Sequence, residues 1–228
     1  MVNAKISQTD LLHFLQSTPL FSGLADGTLE RIARQSRLRK LERGELLFNQ
    51  SDPADAVYIV YSGCIALFLA TPDGKELVIN EMDPGDCFGE LSLITHQPRS
   101  TSAMARETSA VIAIPSDRFI EMLKDEPELL QRILALTAQR LRMSSERESA
   151  LAFLDSSARV ARVLLLLAYQ EGDEGVITIT QENLAQHAGL ARPTVTKILS
   201  QWRSAGWIET ERTKIIVLDR EALQRQLE

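Results

Sequence analysis

The chain has 228 residues, 44% hydrophobic and 25% charged, enough for two modest domains with ordinary globular cores. Its formal net charge of −6 excludes a blanket attraction for nucleic acid. Its two cysteines, Cys64 and Cys87, stand outside any C-x-x-C pair and exclude a disulfide framework or a four-thiolate metal site.

Residues 6–40 read as helical, with Leu11, Leu12, Phe14 and Leu15, then Leu20-Phe21, Leu24, Leu29 and Ile32 at helix-like intervals. Pro19 and Gly23 break this stretch into short pieces. From about Gly44 to Pro115, short β-rich runs (Glu45–Phe48, Val57–Tyr61, Ile65–Leu69, Leu77–Asn80, Ser109–Ile114) alternate with turn signals. Those signals are Asp52-Pro53, Ser62-Gly63, Pro72-Asp73-Gly74 and Pro84-Gly85-Asp86, and the spacing predicts a β-sandwich or jelly roll. Ser116 reads as the N-cap of a short helix carrying Phe119, Ile120 and Leu123.

Pro127 fits the first turn of a new helix that runs to Asp155-Ser156-Ser157, where the next helix is capped. Within it Leu130, Leu134, Thr137, Leu141, Ser144, Glu148 and Leu151 step by four and three, a heptad seam. At 1.5 Å per residue such a helix spans about 42 Å, more than a small domain needs internally, so it predicts a homodimer. The bland alternative is an amphipathic helix packed on its own domain. Thr137, Ser144 and Glu148 stand where leucine would pack better, which predicts a polar partner and marks Ser144 and Ser145 as ligand-contact candidates.

Beyond residue 156 a helix (Val160, Val163, Leu164, Leu167) leads through a Gly172–Gly175 turn and a Val176–Ile179 strand to two helices and a hairpin. Residues 156–228 hold nine basic and nine acidic side chains, so the first 155 carry the whole negative balance. A neutral back half suits DNA only if its basic residues share one face. The apolar run Val163–Tyr169 is too short to span a bilayer, and the N-terminus has no signal pattern, which predicts a cytoplasmic protein without membrane contact.

The densest chemistry lies in Phe88-Gly-Glu-Leu-Ser-Leu-Ile-Thr-His-Gln-Pro-Arg-Ser-Thr-Ser-Ala103. Gly89 permits close backbone approach, and the amides after it, through Leu91 and Ser92, would point at an anion. Arg99, set by Pro98, offers a planar fork for phosphate oxygens, with Ser100 and Thr101 as further donors. Glu90 would repel a phosphate unless it accepts from a hydroxyl, for which a ribose 2′-OH is the natural partner. These residues ask for a ligand with one compact phosphate and one nearby sugar hydroxyl. Ser92 lacks a G-x-S-x-G context and His13, His96 and His187 are scattered, so no enzymatic activity and no metal are expected.

Gly89-Glu-Leu-Ser-Leu, four spacers and Pro98-Arg-Ser-Thr-Ser resemble the phosphate-binding cassette of cyclic-nucleotide-binding domains. Arg140-Leu-Arg-Met-Ser-Ser-Glu146 and Leu151-Ala-Phe-Leu-Asp155 resemble the dimerisation helix and hinge of the cyclic-AMP receptor protein/fumarate-nitrate regulator family. The resemblance covers nearly the whole chain. It implies that Glu90 takes a ribose hydroxyl and that Arg99 and Ser100 take the cyclic phosphate. It further places Gly89, Leu91, Ser92 and Arg140 in the pocket, with Ser144 and a partner chain's Ser145 on the base edge. Cyclic AMP is the first effector it implies, with cyclic GMP or a cyclic dinucleotide left open.

Thr180 through Leu199 has a helix-turn-helix layout. Thr180 caps the first helix, Leu184 and Ala185 face inward, Gly189 makes the tight turn and Pro193 opens the second helix. Val195, Ile198 and Leu199 form its buried stripe. Arg192, Thr194, Thr196 and Lys197, with Ser200 and Arg203 beyond, are left for base edges and phosphates, and Gln181 joins them at the start of the first helix. Trp207–Val217 reads as two strands around a turn, a wing whose Arg212 and Lys214 could reach phosphate. Where the family commonly carries Arg-Glu this chain has Arg192-Pro193, so the family's DNA target does not carry over.

The expected architecture is α+β: an N-terminal β jelly-roll that binds a cyclic nucleotide (1–125), a dimerisation helix and hinge (126–155), and a C-terminal winged helix-turn-helix (156–228). The expected function is a cyclic-nucleotide-responsive transcription regulator with double-stranded DNA, a second copy of itself and RNA polymerase as partners. The rival reading is a regulatory subunit that controls a partner enzyme.

Overall fold

Strand β3 (Ala56–Ser62) shows how the N-terminal part is layered. Tyr58 and Val60 point into one core, Val57 and Ile59 into another. Successive side chains of a strand face opposite ways, so a strand covered on both faces reads as the unbroken apolar run Val57–Val60. The computed structural model describes residues 7–71, 76–170, 175–211 and 213–227. The expected Pro72-Asp73-Gly74 turn, the first three residues of the Gly172–Gly175 turn, and Arg212 lie outside the described residues. Packing divides the chain into an N-terminal unit (1–69 and 79–140) and a C-terminal unit (70–78 and 141–228).

Two antiparallel four-stranded sheets make the β-roll. One has the order β1 (Arg37–Leu41), β8 (Ser109–Pro115), β3, β6 (Cys87–Phe88). The other has the order β2 (Leu46–Phe48), β7 (Ser102–Ala105), β4 (Ile65–Ala70), β5 (Glu76–Met82). Between them lie Leu41, Val60, Ile65, Phe88, Ala103 and Val111. Helices α1 (Gln8–Ser17), α2 (Asp26–Gln35), α4 (Ser116–Asp125) and the start of α5 (Pro127–Phe153) contribute Leu15, Leu29, Ile32, Phe119, Leu129 and Ile133. These cover the other face of β3 and β8, on which Ile59, Ile112 and Ile114 stand.

Each β-rich run expected between 44 and 115 coincides with a strand. Two local readings are corrected. Residues 37–40 are not helical: Arg37–Leu41 pair in register with Ala113–Ser109 of β8, and long-range pairing overrides the local pattern. Ser116 is the first residue of α4 rather than its cap, because Pro115 holds the cap position without a side-chain bond. Asp155 does cap the helix after α5, accepting from the Ala158 amide at 2.8 Å.

The C-terminal unit packs α6 (Ser156–Gln170), α7 (Gln181–Ala188), α8 (Arg192–Ser204) and α9 (Arg220–Gln224) with a three-stranded sheet in the order β10 (Ile208–Thr210), β11 (Ile215–Val217), β9 (Val176–Ile177). Its core is Val160, Leu164, Ile177, Leu184, Val195, Leu199, Trp202 and Leu223. The Glu211 amide bonds Lys214 O at 2.9 Å and closes the β10–β11 hairpin. The structure is α+β, as expected: a β-roll, a long helix and a helix-turn-helix with its wing.

Candidate functional site

In the N-terminal unit the chain leaves β6 and turns at Gly89 into α3 (Glu90–Thr95). Gly89 has φ +81°, which favours glycine, and a Cβ there would stand 2.6 Å from Arg99 Nη1 and displace the guanidinium. The loop after α3 is stitched by Ser92 Oγ donating to Pro98 O at 3.2 Å and the Gln97 amide donating to Ser92 O. Arg99 is then fixed by its own backbone, with its amide on Asp52 O and its carbonyl accepting from Ser51, both at 2.9 Å.

The Arg99 side chain is 1% exposed. Nη1 donates to Gly89 O at 2.9 Å, and Nη2 donates to Ala56 O at 2.7 Å and to Asp55 Oδ1 at 3.3 Å. Its guanidinium carbon lies 4.3 Å from the centroid of the Phe48 ring and 5.4 Å from that of Tyr58, within cation–π range. Tyr58 and Phe88 stack on each other, and the Phe48 ring packs tilted against both. Burial, with Asp55 next, pushes the Tyr58 hydroxyl above its ordinary pKa, so it stays neutral. The Arg99 Nε–H is buried and has no hydrogen-bond partner. An orphaned buried donor costs about 1–3 kcal/mol, which an incoming acceptor oxygen would recover.

Glu90 is 1% exposed and pairs with Arg140 Nη1 at 2.7 Å. Arg140 also donates to Cys87 O and approaches Met82 Sδ at 3.6 Å. Such a partner offsets the cost of taking a carboxylate this far out of water. Burial, reinforced by Glu90, drives the neighbouring Cys87 thiol well above its usual pKa, so it is no nucleophile.

Within the N-terminal unit, then, Gly89, Glu90, Arg99 and Arg140 are brought together by direct contacts. Ser92 is buried with its hydroxyl committed to Pro98, while Leu91 and Ser100 are exposed at the rim. Ser144 and Ser145 lie in the C-terminal unit. There Ser144 Oγ meets Glu148 Oε1 at 3.4 Å and Ser145 Oγ bonds Leu141 O at 3.2 Å. Thr137, the other seam hydroxyl, donates to Ile133 O at 2.8 Å. Sequence reasoning missed Phe48, Asp55, Ala56 and Tyr58 as the seat of Arg99. Among the described residues no group of three or more His, Cys, Asp or Glu could hold a metal ion.

The second candidate surface is in the C-terminal unit. Thr180 Oγ1 accepts from the Asn183 amide at 3.1 Å and caps α7. Gly189 ends that helix at φ +62°, and Ala191 precedes α8, whose first turn contains Pro193. Val195, Ile198, Leu199 and Trp202 are buried beneath α8. Arg192, Pro193, Thr196 and Lys197 line a shallow depression on its exposed side, continued by Ser200, Gln201 and Ser204. Thr194 is half-buried and Gln181 sits at the first position of α7. Gln201 and Ser204 were missed; they fall four residues beyond Lys197 and Ser200, a spacing that could have found them.

The family model for the cyclic nucleotide-binding domain matches residues 38–126, and that for the Crp-like helix-turn-helix domain matches residues 158–226. A CRP-like cAMP-activated global transcriptional regulator of Mycobacterium tuberculosis is 33% identical over 213 residues, 91% of this chain and 95% of the relative. The cAMP-activated global transcriptional regulator CRP of Escherichia coli is 31% identical over 84% of this chain and 94% of its own length. Among solved structures, the c-di-GMP-responsive global regulator CLP of Xanthomonas campestris superimposes with TM-score 0.77 over 85% of this chain and 99% of its own, at 24% identity, a likeness of fold.

Proposed function

We propose that this chain, which belongs to the CRP family of cyclic-nucleotide-responsive, sequence-specific DNA-binding transcription regulators, takes cyclic AMP as its effector. The observation that carries the proposal is the buried Arg99 fork above Gly89 with its Nε–H unpaired. The donor set fits a cyclic phosphate: Arg99 supplies the charge and its unpaired Nε–H, and Ser100 adds a hydroxyl at the rim. Glu90, paired with Arg140, is the acceptor for a ribose hydroxyl. The bound nucleotide supplies one negative charge and a sugar edge; the chain supplies their positions. Ser144, and Ser145 of a second copy, take the base edge. Both relatives above are named as cAMP-activated.

The protein works as a homodimer in the cytoplasm, within reach of DNA and RNA polymerase. The pairing surface is the α5 seam, where Leu130, Leu134 and Leu141 are exposed while Leu129 and Ile133 on the other side are buried. Residues 1–125 bind the nucleotide, 126–155 pair and transmit, and 156–228 read DNA. Nucleotide shifts a two-state equilibrium toward the DNA-binding arrangement to the extent that it binds that state better. The reading face is Thr180, Gln181, Arg192, Pro193, Thr194, Thr196 and Lys197, presented in the major groove of each half-site.

Titration calorimetry with cyclic AMP, cyclic GMP and cyclic di-GMP tests the effector. One cyclic AMP per chain, bound more tightly than the other two, is expected. A protein that binds no nucleotide overturns the proposal, and tighter binding of either competitor replaces cyclic AMP with it. If the DNA selected from a random pool is unchanged by nucleotide, the two-state reading fails.

A further inference from the structure

On the DNA-reading surface, Thr196 Oγ1 of α8 stands 2.7 Å from Gln181 Oε1 of α7, fifteen residues away in sequence and exposed to solvent. An exposed bond between two side chains adds little to stability, because water offers both groups the same partners. What it does change is orientation. A free glutamine carboxamide is ambivalent, presenting an acceptor on one edge and two N–H donors on the other. When Oε1 accepts from Thr196, the NH2 group is turned away from α8 and the ambivalence is removed.

The surroundings keep the arrangement in place. Thr196 Oγ1 also lies 3.0 Å from Arg192 O, one turn back on its own helix; its single proton serves one acceptor at a time, and the shorter contact is the one to Gln181. Gln181 is the first residue of α7, immediately after its capping residue Thr180. Next to this contact, Arg192 Nε and Glu182 Oε2 are 3.9 Å apart, a second link between the starts of the same two helices. Thr196 itself lines the depression with Arg192, Pro193 and Lys197.

We propose that Thr196 is a positioning residue of the DNA reader: its hydroxyl holds the Gln181 carboxamide with NH2 outward, making Gln181 a donor to an acceptor atom of DNA. This rests on the DNA-reading function of α7 and α8. The acceptor is a phosphate oxygen or an acceptor on a base edge, since both ask for the same N–H. Cytosine N4 presents only donors and is excluded as the contact. With Pro193 bringing no side-chain hydrogen-bonding group to the turn, this oriented amide is part of what sets the target.

The test uses the full-length protein with cyclic AMP and the DNA site that the wild type selects from a random pool. Thr196→Val keeps the shape and removes the hydroxyl; it should weaken binding roughly three- to tenfold, the scale of one hydrogen bond between molecules. Thr196→Ser should restore it, while Gln181→Glu, which cannot donate, should lose at least as much as Thr196→Val. The deciding measurement is the double variant. In a Gln181→Ala background, Thr196→Val should cost nothing further, because Thr196 acts through Gln181. Equal and additive losses would overturn the proposal, since Thr196 would then touch DNA by itself; so would full affinity in Thr196→Val. A repeat selection with Gln181→Ala separates the two acceptors: relaxed preference at one base pair marks a base edge, and a uniform loss marks a phosphate. If the wild type selects no sequence, it is the DNA-reading function that fails, a result the variants cannot mimic.

Discussion

On the proposed binding mode, replacing Arg99 by leucine removes the phosphate-binding group while preserving apolar bulk over Phe48. The one charge-assisted hydrogen bond that the unpaired Nε–H would make to a phosphate, at roughly 1.5–3 kcal/mol, is lost with it. At 1.4 kcal/mol per decade the affinity for cyclic AMP should fall by a factor on the order of 10–10². The cost to the fold is smaller. Gly89 O and Ala56 O each lose a donor, but the unpaired Nε–H disappears too, and Asp55, 82% exposed, is free to solvate. A net loss of about 1–2 kcal/mol, a few degrees in Tm, leaves the domain folded. Arg99→Lys, a point charge without the fork, should fall between the two. Calorimetric titration beside a thermal scan reads both numbers. A leucine variant that bound cyclic AMP within threefold of the wild type, with its Tm intact, would refute the assignment of Arg99.

Other variants probe other parts of the molecule. Leu134 is 67% exposed, so Leu134→Lys should leave the chain folded yet shift sedimentation from dimer to monomer; an unchanged dimer would move the pairing surface off α5. Thr180→Ala removes the α7 cap and should cost about 1 kcal/mol in denaturant unfolding; no loss would mean that the cap bond contributes nothing. Lys197→Ala should weaken binding to DNA with little change in the selected sequence if it meets phosphate, whereas an altered sequence would assign it to a base. Burial holds both thiols protonated, Cys64 pushed up to about 12 and Cys87 raised well above its usual value. At pH 8, below both folded values, alkylation of the native protein should therefore be slow, and rapid stoichiometric labelling would contradict this.

The Gly89–Arg99 cluster was legible because its chemistry is local. A glycine before a carboxylate, and an arginine set by a proline ten residues on, restrict the ligand whatever the remainder of the chain does. The helix-turn-helix was legible for a similar reason, since Thr180, Gly189 and Pro193 each mark a backbone event at its own position. What escaped were the partners brought in by pairing across the sheet. Asp55 and Ala56 meet Arg99 from 44 and 43 residues away, and no periodicity encodes that contact. Strand β1 was hidden for the same reason: Arg37, Arg39 and Lys40 look like a solvated helix face until β8 supplies hydrogen-bond partners. The Thr196–Gln181 bond was half visible, both residues being expected on the reading face, but their mutual distance belongs to the crossing of two helices.

The 2.6 Å that separates a would-be Cβ at position 89 from Arg99 also ties two codons into one history. A side chain at position 89 would have to push the Arg99 guanidinium off its hydrogen bonds to Gly89 O and Ala56 O, so in a lineage abandoning nucleotide sensing Gly89 drifts more readily once Arg99 is gone. Even then the left-handed backbone at φ +81° admits asparagine or aspartate before any branched residue. Decay of this sensor is thus directional, and the glycine should outlive the arginine in descendants that no longer respond.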